Sequence, residues 1–238
     1  MRYPLIAAMT LLAACSVRAS DDSPGVAGTG GGDAKSYAIT GFTGINLAGA
    51  DDVDVRVGTG FSVRAEGAAK ELGDLRIARD GDMLKIDRQG SLGWGKRDKV
   101  RVFVTLPRLA AANVSGSGTM AVDRVDGDRF DAAMAGSGSL KLAALAVRDA
   151  GFSIAGSGDI AARGTANTLK VDVAGSGALD AGELRASSAT VNIAGSGDVR
   201  AGVAGPAKVA ILGSGDVDLG READCSVSKM GSGSVKCR

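Results

Sequence analysis

Histidine is missing from all 238 residues, and with it go the commonest general base and the commonest metal ligand. Most hydrolytic triads, histidine-metal sites and histidine-dependent acyl transfers are thereby excluded. Aromatic residues make up 3% of the chain and proline occurs only 4 times, whereas glycine occurs 37 times and apolar residues reach 45%. So much glycine with so little proline and so much apolar content argues for repeats that fold, against a low-complexity coil. The formal net charge is +1, which gives no electrostatic pull toward nucleic acid. No cofactor pattern and no metal-ligand spacing is present.

The first 14 residues carry one basic residue, Arg2, and an apolar run from Leu5 to Ala14 broken only by Thr10. That run suits a signal-peptide core and is too short to span a bilayer. It ends in Leu12-Ala13-Ala14-Cys15, which resembles a bacterial lipobox and makes Cys15 the lipidation site. The alternative is an ordinary secretory signal with a chance cysteine. Ser16 follows in place of the aspartate that favours inner-membrane retention, so the reading is a cell-envelope protein anchored in the outer membrane, on either face. Residues 15–37, rich in Ser, Asp and Gly, read as a flexible tether by composition.

From Tyr37 the pattern turns to period-two alternation, with Val53, Val55 and Val57 on one side and Asp52, Asp54 and Arg56 on the other. Ala68 to Leu75 is the one helical turn. Leu75 and Ile77, then Leu84 and Ile86, flank an Asp80-Gly81-Asp82 turn and predict a hairpin. Val100, Val102 and Val104 predict the next strand. The loop before it holds the chain's single tryptophan, Trp94, near Arg88, Lys96 and Arg97. Aromatic and arginine side chains are enriched at binding hot spots, so this loop is a candidate glycan- or protein-contacting tip. The alternative is a tryptophan folded back over apolar surface.

The second half is ordered by Gly-Ser-Gly, whose first glycines are Gly116, Gly136, Gly156, Gly175, Gly195, Gly213 and Gly231. A fixed period near 20 residues signals stacked repeats. With each first glycine as position 0, position −2 reads Val114, Met134, Ile154, Val173, Ile193, Ile211 and Lys229. Positions −4 and +4 are apolar in every copy, while +3 is polar or small. This is strand periodicity on both flanks of each tripeptide. One unit cannot bury its inner face alone, so the units stack. The expected fold is all-β: a single-chain parallel β-helix of about 20-residue coils, preceded by further N-terminal strands.

Parity places both glycines inward, where a coil has no room for a β-carbon, and glycine also reaches the dihedrals that a sharp bend in the coil needs. The serines between them form a column, Ser117, Ser137, Ser157, Ser176, Ser196, Ser214 and Ser232, read as a structural bend ladder over a binding ladder. Asp159, Asp198 and Asp216 follow the tripeptide; they lack the spacing of a calcium-binding repeat and read as solvated surface carboxylates. Cys225 and Cys237 both take inward parity in the last unit. With Cys15 lipidated they are the two remaining thiols, predicted to form a disulfide that staples the final coil. Buried free thiols are the alternative.

Phe42-Thr43-Gly44-Ile45-Asn46, the strand Asp51 to Val57, the strand Leu84-Lys85-Ile86, the strand ending at Leu106-Pro107 and the Gly-Ser-Gly series together resemble the bacterial head GIN domain family, described as auto-transporter adhesins. The resemblance covers residues 38–238. It implies a right-handed β-helix without catalytic residues, and an adhesion role that is itself inferred from shape. The expected protein is therefore a non-enzymatic envelope lipoprotein, with a signal peptide at 1–14, a lipidated tether at 15–37 and a β-helix at 38–238. Its partners are the membrane through its lipid, and a glycan or protein ligand. The alternatives are a carbohydrate-active β-helix enzyme, and a structural protein that self-associates through its coil ends.

Overall fold

Alternating apolar residues do become strands. The computed structural model describes residues 25–89 and 98–237, and within them the chain is almost wholly β, forming a β-solenoid of about six turns behind a set of N-terminal strands. Seven Gly-Ser-Gly corners bound those six turns. One wall stacks Ala111–Gly116 in parallel on the C-terminal parts of Val125–Gly136, Ser139–Gly156, Asp159–Gly175 and Ala178–Gly195, then on Gly205–Gly213 and Ala223–Met230. The next wall, past the corner, stacks Thr119–Val122 on the N-terminal parts of the long strands, then on Asp198–Val203, Val217–Asp218 and Val235–Lys236.

The register is the one the repeat predicts. Val114, Met134, Ile154, Val173, Ile193, Ile211 and Lys229 stand in one column. All but Lys229 are buried, and each fully buried aliphatic side chain contributes about 1.5–3 kcal/mol. The 19-residue coil between Gly156 and Gly175 is accommodated at the third arc, where Gly164 stands opposite Leu145 and Leu184 and the register slips between Leu142 and Leu145.

The corner keeps the expected glycine dihedral but not the expected inward parity of both glycines. The second glycine of each tripeptide is buried, but the first is exposed or half-exposed, so parity breaks there. From Gly116 to Gly195 the first glycine's carbonyl accepts from the serine N–H of the next coil, as in Ser137 N–H to Gly116 O at 2.9 Å and Ser157 N–H to Gly136 O at 2.8 Å, whereas Gly213 O accepts from Gly233 N–H at 3.3 Å. A β-carbon on Gly136 would lie 2.5 Å from that Gly116 oxygen, and one on Gly138 would lie 2.5 Å from Gly118 O. The space is closed along the stacking axis, by the coil below, and only in part from the core. Gly136 also has φ +116°, with the other first glycines similar.

An eighth corner, without serine or a second glycine, lies at the base. Gly49 stands opposite Gly116, and its carbonyl accepts from Ser117 N–H at 2.9 Å. Gly49 keeps the positive φ, +131°, yet a β-carbon there meets nothing within 4 Å, and Asp51 fills the second glycine's place. Dihedral demand and stacking demand separate here. The first glycine answers both, the second answers stacking alone, and at the Gly49 corner no atom within 4 Å forbids a side chain.

The base is closed by other means. Met83–Arg88 continues the first wall in parallel from Gly44–Gly49, and Leu75–Asp80 follows antiparallel as the predicted hairpin. Arg101–Leu106 continues the second wall from Asp52–Val57, followed antiparallel by Ser62–Glu66, Ala34–Tyr37 and Gly28–Thr29. Helix Ala69–Asp74 buries Leu72 against the core. The tether expected over 15–37 is thus shortened. Gly28–Thr29 and Ala34–Tyr37 are paired strands, with Tyr37 buried, because Ser62–Glu66 supplies Ala34–Tyr37 an edge that composition cannot reveal, and Gly28–Thr29 pairs on that strand in turn.

Gly136→Ala is expected to lower unfolding stability by about 3 kcal/mol or more, combining a strained dihedral with a backbone clash. Ser137→Ala, one residue on and exposed, is expected to stay within about 0.5 kcal/mol of the parent. Urea denaturation of both variants checks the pair; equal effects would show that the serine, not the glycine, sets the corner.

Candidate functional site

The predicted site residues divide into four groups, the last being Arg88 alone. Cys15, Trp94, Lys96 and Arg97 lie outside the described residues. Cys225 and Cys237 are joined by a disulfide with Cα atoms 6.2 Å apart; both are half-buried and pack on the core at the open C-terminal end. The seven ladder serines are exposed along one corner, and the N–H groups of all but Ser232 serve the coil-to-coil bonds described above.

Arg88 is corrected outright: it is a positioning residue inside the fold, not a free residue of a binding loop. It ends the strand Met83–Arg88, and its Nε donates to Asp51 Oδ2 at 2.8 Å. Its two Nη atoms donate to Asp51 Oδ1 and Glu71 Oε2, and Nη2 also reaches the Asp98 carbonyl at 3.0 Å. Asp51, 2% exposed, further accepts from Val100 N–H at 2.9 Å. The hydrogen bond with Asp51 outweighs burial and holds the Arg88 guanidinium above its ordinary range, with Glu71 adding to it. One arginine thus ties the base coil, the short helix and the start of the strand Arg101–Leu106.

The surface feature that the sequence did not single out is a groove on the outer face of the first wall. It holds about 560 Å³ and crosses five strands, from Ser153–Ala155 to Ser228–Met230. Position −1 forms one side, with Ala155, Ala174, Ala194, Leu212 and Met230. Position −3 forms the other, with Ser153, Asp172, Asn192, Ala210 and Ser228. Leu212 is 59% and Met230 72% exposed; with Val227, which stands in the inward −4 column at the open end, they are the exposed large hydrophobic side chains of the described residues. Apolar surface left in the open at one place marks an interaction site more often than scattered single residues do. On the polar side Asn192 Nδ2 donates to Asp172 Oδ1 at 2.8 Å, and Lys170 Nζ stands 3.1 Å from Asp172 Oδ2. Burial works to raise the Asp172 carboxyl, but these two partners prevail and hold it below the usual carboxylate range. A signal for the groove was present: reading position −1 down the repeats shows alanines giving way to Leu212 and Met230.

The aspartates after the tripeptide are exposed, as expected, but each also bonds the next coil. Asp159 Oδ1 accepts from Ala178 N–H at 3.3 Å, Asp198 Oδ1 from Asp216 N–H at 3.2 Å, and Asp216 Oδ1 from Ser234 N–H at 2.8 Å and Ser234 Oγ at 2.7 Å. Where Ala178 interrupts the column, Asp198 N–H turns to the Gly177 carbonyl at 3.3 Å instead. Among the described residues no group of three or more acidic or cysteine side chains gathers as a metal site, and no helix is long and apolar enough to cross a membrane.

Residues 41–223 match the family model described as "Putative auto-transporter adhesin, head GIN domain". No curated protein matches the chain. Among solved structures it is similar to a "putative adhesin" from Bacteroides fragilis, at 20% identity and a TM-score of 0.78, covering 86% of this chain and 96% of that one. A "putative lipid binding protein" from Parabacteroides distasonis is similar at 24% identity and a TM-score of 0.71, covering 89% and 98%. A "putative adhesin" from Parabacteroides merdae is similar at 16% identity and a TM-score of 0.72, covering 91% and 100%. At these identities the likeness establishes the fold.

Arg88→Ala is expected to cost about 3–5 kcal/mol, since it leaves two buried carboxylates without their cation; urea unfolding measures it, and a loss below about 1 kcal/mol would show a surface-like pair. Acid should loosen the last coil. Ser234, through its hydroxyl and then its N–H, holds the Asp216 carboxyl below its usual value. Its contribution is present above an unfolded value of about 3.9 and is lost as pH falls through the lower folded value. An Asp216→Ala chain should therefore show a shallower stability loss below about pH 4 than the parent in pH-dependent thermal melts.

Proposed function

The chain belongs to the head GIN domain family, and from that premise we propose that it is a non-enzymatic binding scaffold of the cell envelope, held to the membrane by a lipid on Cys15. Its signal peptide spans 1–14, and the segment from Cys15 to the first described residues links the lipid to the solenoid. The outer membrane is the proposed site, on the strength of Ser16 after the lipidated cysteine. The carrying observation is the groove on the first wall, where the exposed Leu212 and Met230 stand in line with Ala155, Ala174 and Ala194. The names of the solved relatives, for adhesion and for lipid binding, are in keeping with a surface that binds and does not transform its ligand.

The physical argument is one of rigidity. Each outer column is fixed by the backbone ladder beneath it at about 4.8 Å per coil, so a ligand meets a preformed surface and little ordering cost falls on the protein. Hydrophobic side chains on such a frame supply affinity, and the polar column beside them supplies orientation.

Full-length chain carrying Cys15→Ser, tested on glycan arrays and whole cells, is expected to bind, and Leu212→Asp/Met230→Asp to abolish binding while leaving the fold intact. Binding that survives this change but disappears in Trp94→Ala would move the site to the loop. Turnover of a polysaccharide would overturn the non-enzymatic reading. For the anchor, palmitate should label the parent chain in growing cells and leave Cys15→Ser unlabelled.

A further inference from the structure

We propose that the groove on the first wall takes a second copy of this chain, packed face to face with its solenoid axis reversed, so that the two copies join facing membranes. This rests on the groove's being the binding site and on the lipid at Cys15. The outward −1 column carries its own complement. Ala155 and Ala174 leave a hollow on one side of Ala194, and Leu212 and Met230 rise on the other. A two-fold axis laid along the strand of Ala194, the middle strand of the groove, sets Leu212 of each copy against Ala174 of the other and Met230 against Ala155. Each protrusion then meets a hollow made by the same column, which is the self-complementarity a two-fold contact requires. With both axes pointing the same way, Leu212 would stand against Leu212 and alanine against alanine, and the hollow would stay unfilled.

Charge on the same wall fits the reversed pair. In the −5 column Asp131 is bonded by Arg129, and Lys170 stands 3.1 Å from Asp172, whereas the exposed Lys208 has no ion pair among the described residues. Lys208 lines the neighbouring hollow, two residues before Ala210 on the same outward face. The two-fold carries it diagonally across to Asp172 of the second copy, and the reverse contact follows by symmetry. Asp172 already accepts from Asn192 and Lys170, but a carboxylate offers about four acceptor sites, so a third donor finds room. Five strands at about 4.8 Å and about eight residues at about 3.3 Å cover about 600 Å² on each copy, or about 1,200 Å² in all, the lower end of stable interfaces. A single pair is therefore weak, and display of many copies on a surface multiplies it.

The anchors decide what the pair joins. The first described residues lie at the base, where Val26 N–H donates to the Ile77 carbonyl at 2.7 Å, and Cys15 is ten residues before Gly25. That tether spans about 36 Å at most. From the strand of Ile77 to Ala223–Met230 the first wall stacks strand on strand, and nine spacings of about 4.8 Å make about 43 Å. The lipid is thus confined to the base side, and the groove occupies the five strands farthest from it. Reversing the axis overlaps the two distal halves and sends the two lipids out at opposite ends, into two membranes.

Full-length chain with Cys15→Ser is expected to dimerise reversibly with concentration in sedimentation, and the same chain with Leu212→Asp/Met230→Asp to stay monomeric. Lys208→Glu and Asp172→Lys should each weaken dimerisation about tenfold or more. An equimolar mixture of those two variants should regain it, because every mixed contact is again between opposite charges; mixing rescues no misfolded chain. A mixture of Ala174→Cys and Leu212→Cys chains should form disulfide-linked heterodimers under mild oxidation. Phosphatidylcholine vesicles carrying the lipidated parent should aggregate, and those carrying Leu212→Asp/Met230→Asp should not. A folded parent that is monomeric at every concentration overturns the proposal, as does a mixture of the charge variants that regains nothing. Leu212→Cys chains that link to one another would reveal the parallel pair and overturn the bridging, as would vesicles that stay dispersed. If the parent stays monomeric while Leu212→Asp/Met230→Asp still abolishes glycan or cell binding, the groove is the site and its partner is another molecule.

Discussion

Everything in this fold hangs on how close one coil's corner comes to the next. The first glycine's carbonyl points at the serine N–H of the following coil and closes a bond of 2.8–2.9 Å at Ser137, Ser157, Ser176, Ser196 and Ser214. That bond holds neighbouring corners so near that a β-carbon would meet backbone oxygen. Once the corners are locked, the flanking strands have no freedom of register. A slip of one residue would turn Ile154, Val173 and Ile193 to solvent and bring Ser153, Asp172 and Asn192 into the core. Hydrophobic burial supplies most of the energy, but the corner decides which residues are buried.

The same constraint explains where function can reside. Inward columns are committed to packing and the corner is committed to small residues, which leaves the outward positions −5, −3 and −1 on the first wall. These can change without disturbing the stack, and they do: position −1 runs from Ser115 through four alanines to Leu212 and Met230. The aspartates on the second wall show the intermediate case. They face solvent, yet three of them accept from N–H groups of the next coil, so those positions are only partly open to change.

How much of this was legible follows from distance along the chain. The columns at −4, −2 and +4 could be read because each repeats within 20 residues, and strand and hairpin boundaries in the N-terminal part came from purely local alternation. Gly49-Ala50-Asp51 escaped because it shares only one residue with the tripeptide; its flanks, Ile45, Leu47 and Val53, carry the same pattern as the later coils. Arg88 was assigned to a loop by its sequence neighbours, whereas its partners Asp51 and Glu71 lie 37 and 17 residues away. The strands Gly28–Thr29 and Ala34–Tyr37 were hidden for a like reason, since glycine-rich composition speaks of local entropy and not of an edge offered from elsewhere. The groove belongs to neither case. It needed only the −1 column to be read downward, across coils, as the inward columns were.

A stack of like coils must also end, and its two ends are solved by unlike chemistry. At the base the chain leaves the repeat altogether, folds strands and a helix over the core, and locks them with Arg88 between Asp51 and Glu71. At the top, among the described residues, no further segment covers the core; Cys225 and Cys237 bridge the −6 and +6 columns, and Lys229 lays its stem where a seventh aliphatic residue would have stood exposed. In a solenoid, stability is close to a sum over neighbouring coils, and terminal units lack one neighbour. A covalent link and an amphipathic side chain are economical remedies, for they close the end without adding bulk above it. They also leave Val227 uncovered at the open end, close to the coils whose outward −1 positions carry Leu212 and Met230. The top of the solenoid is therefore where stacking has least claim on the side chains, and it is there that the groove acquires its apolar flank.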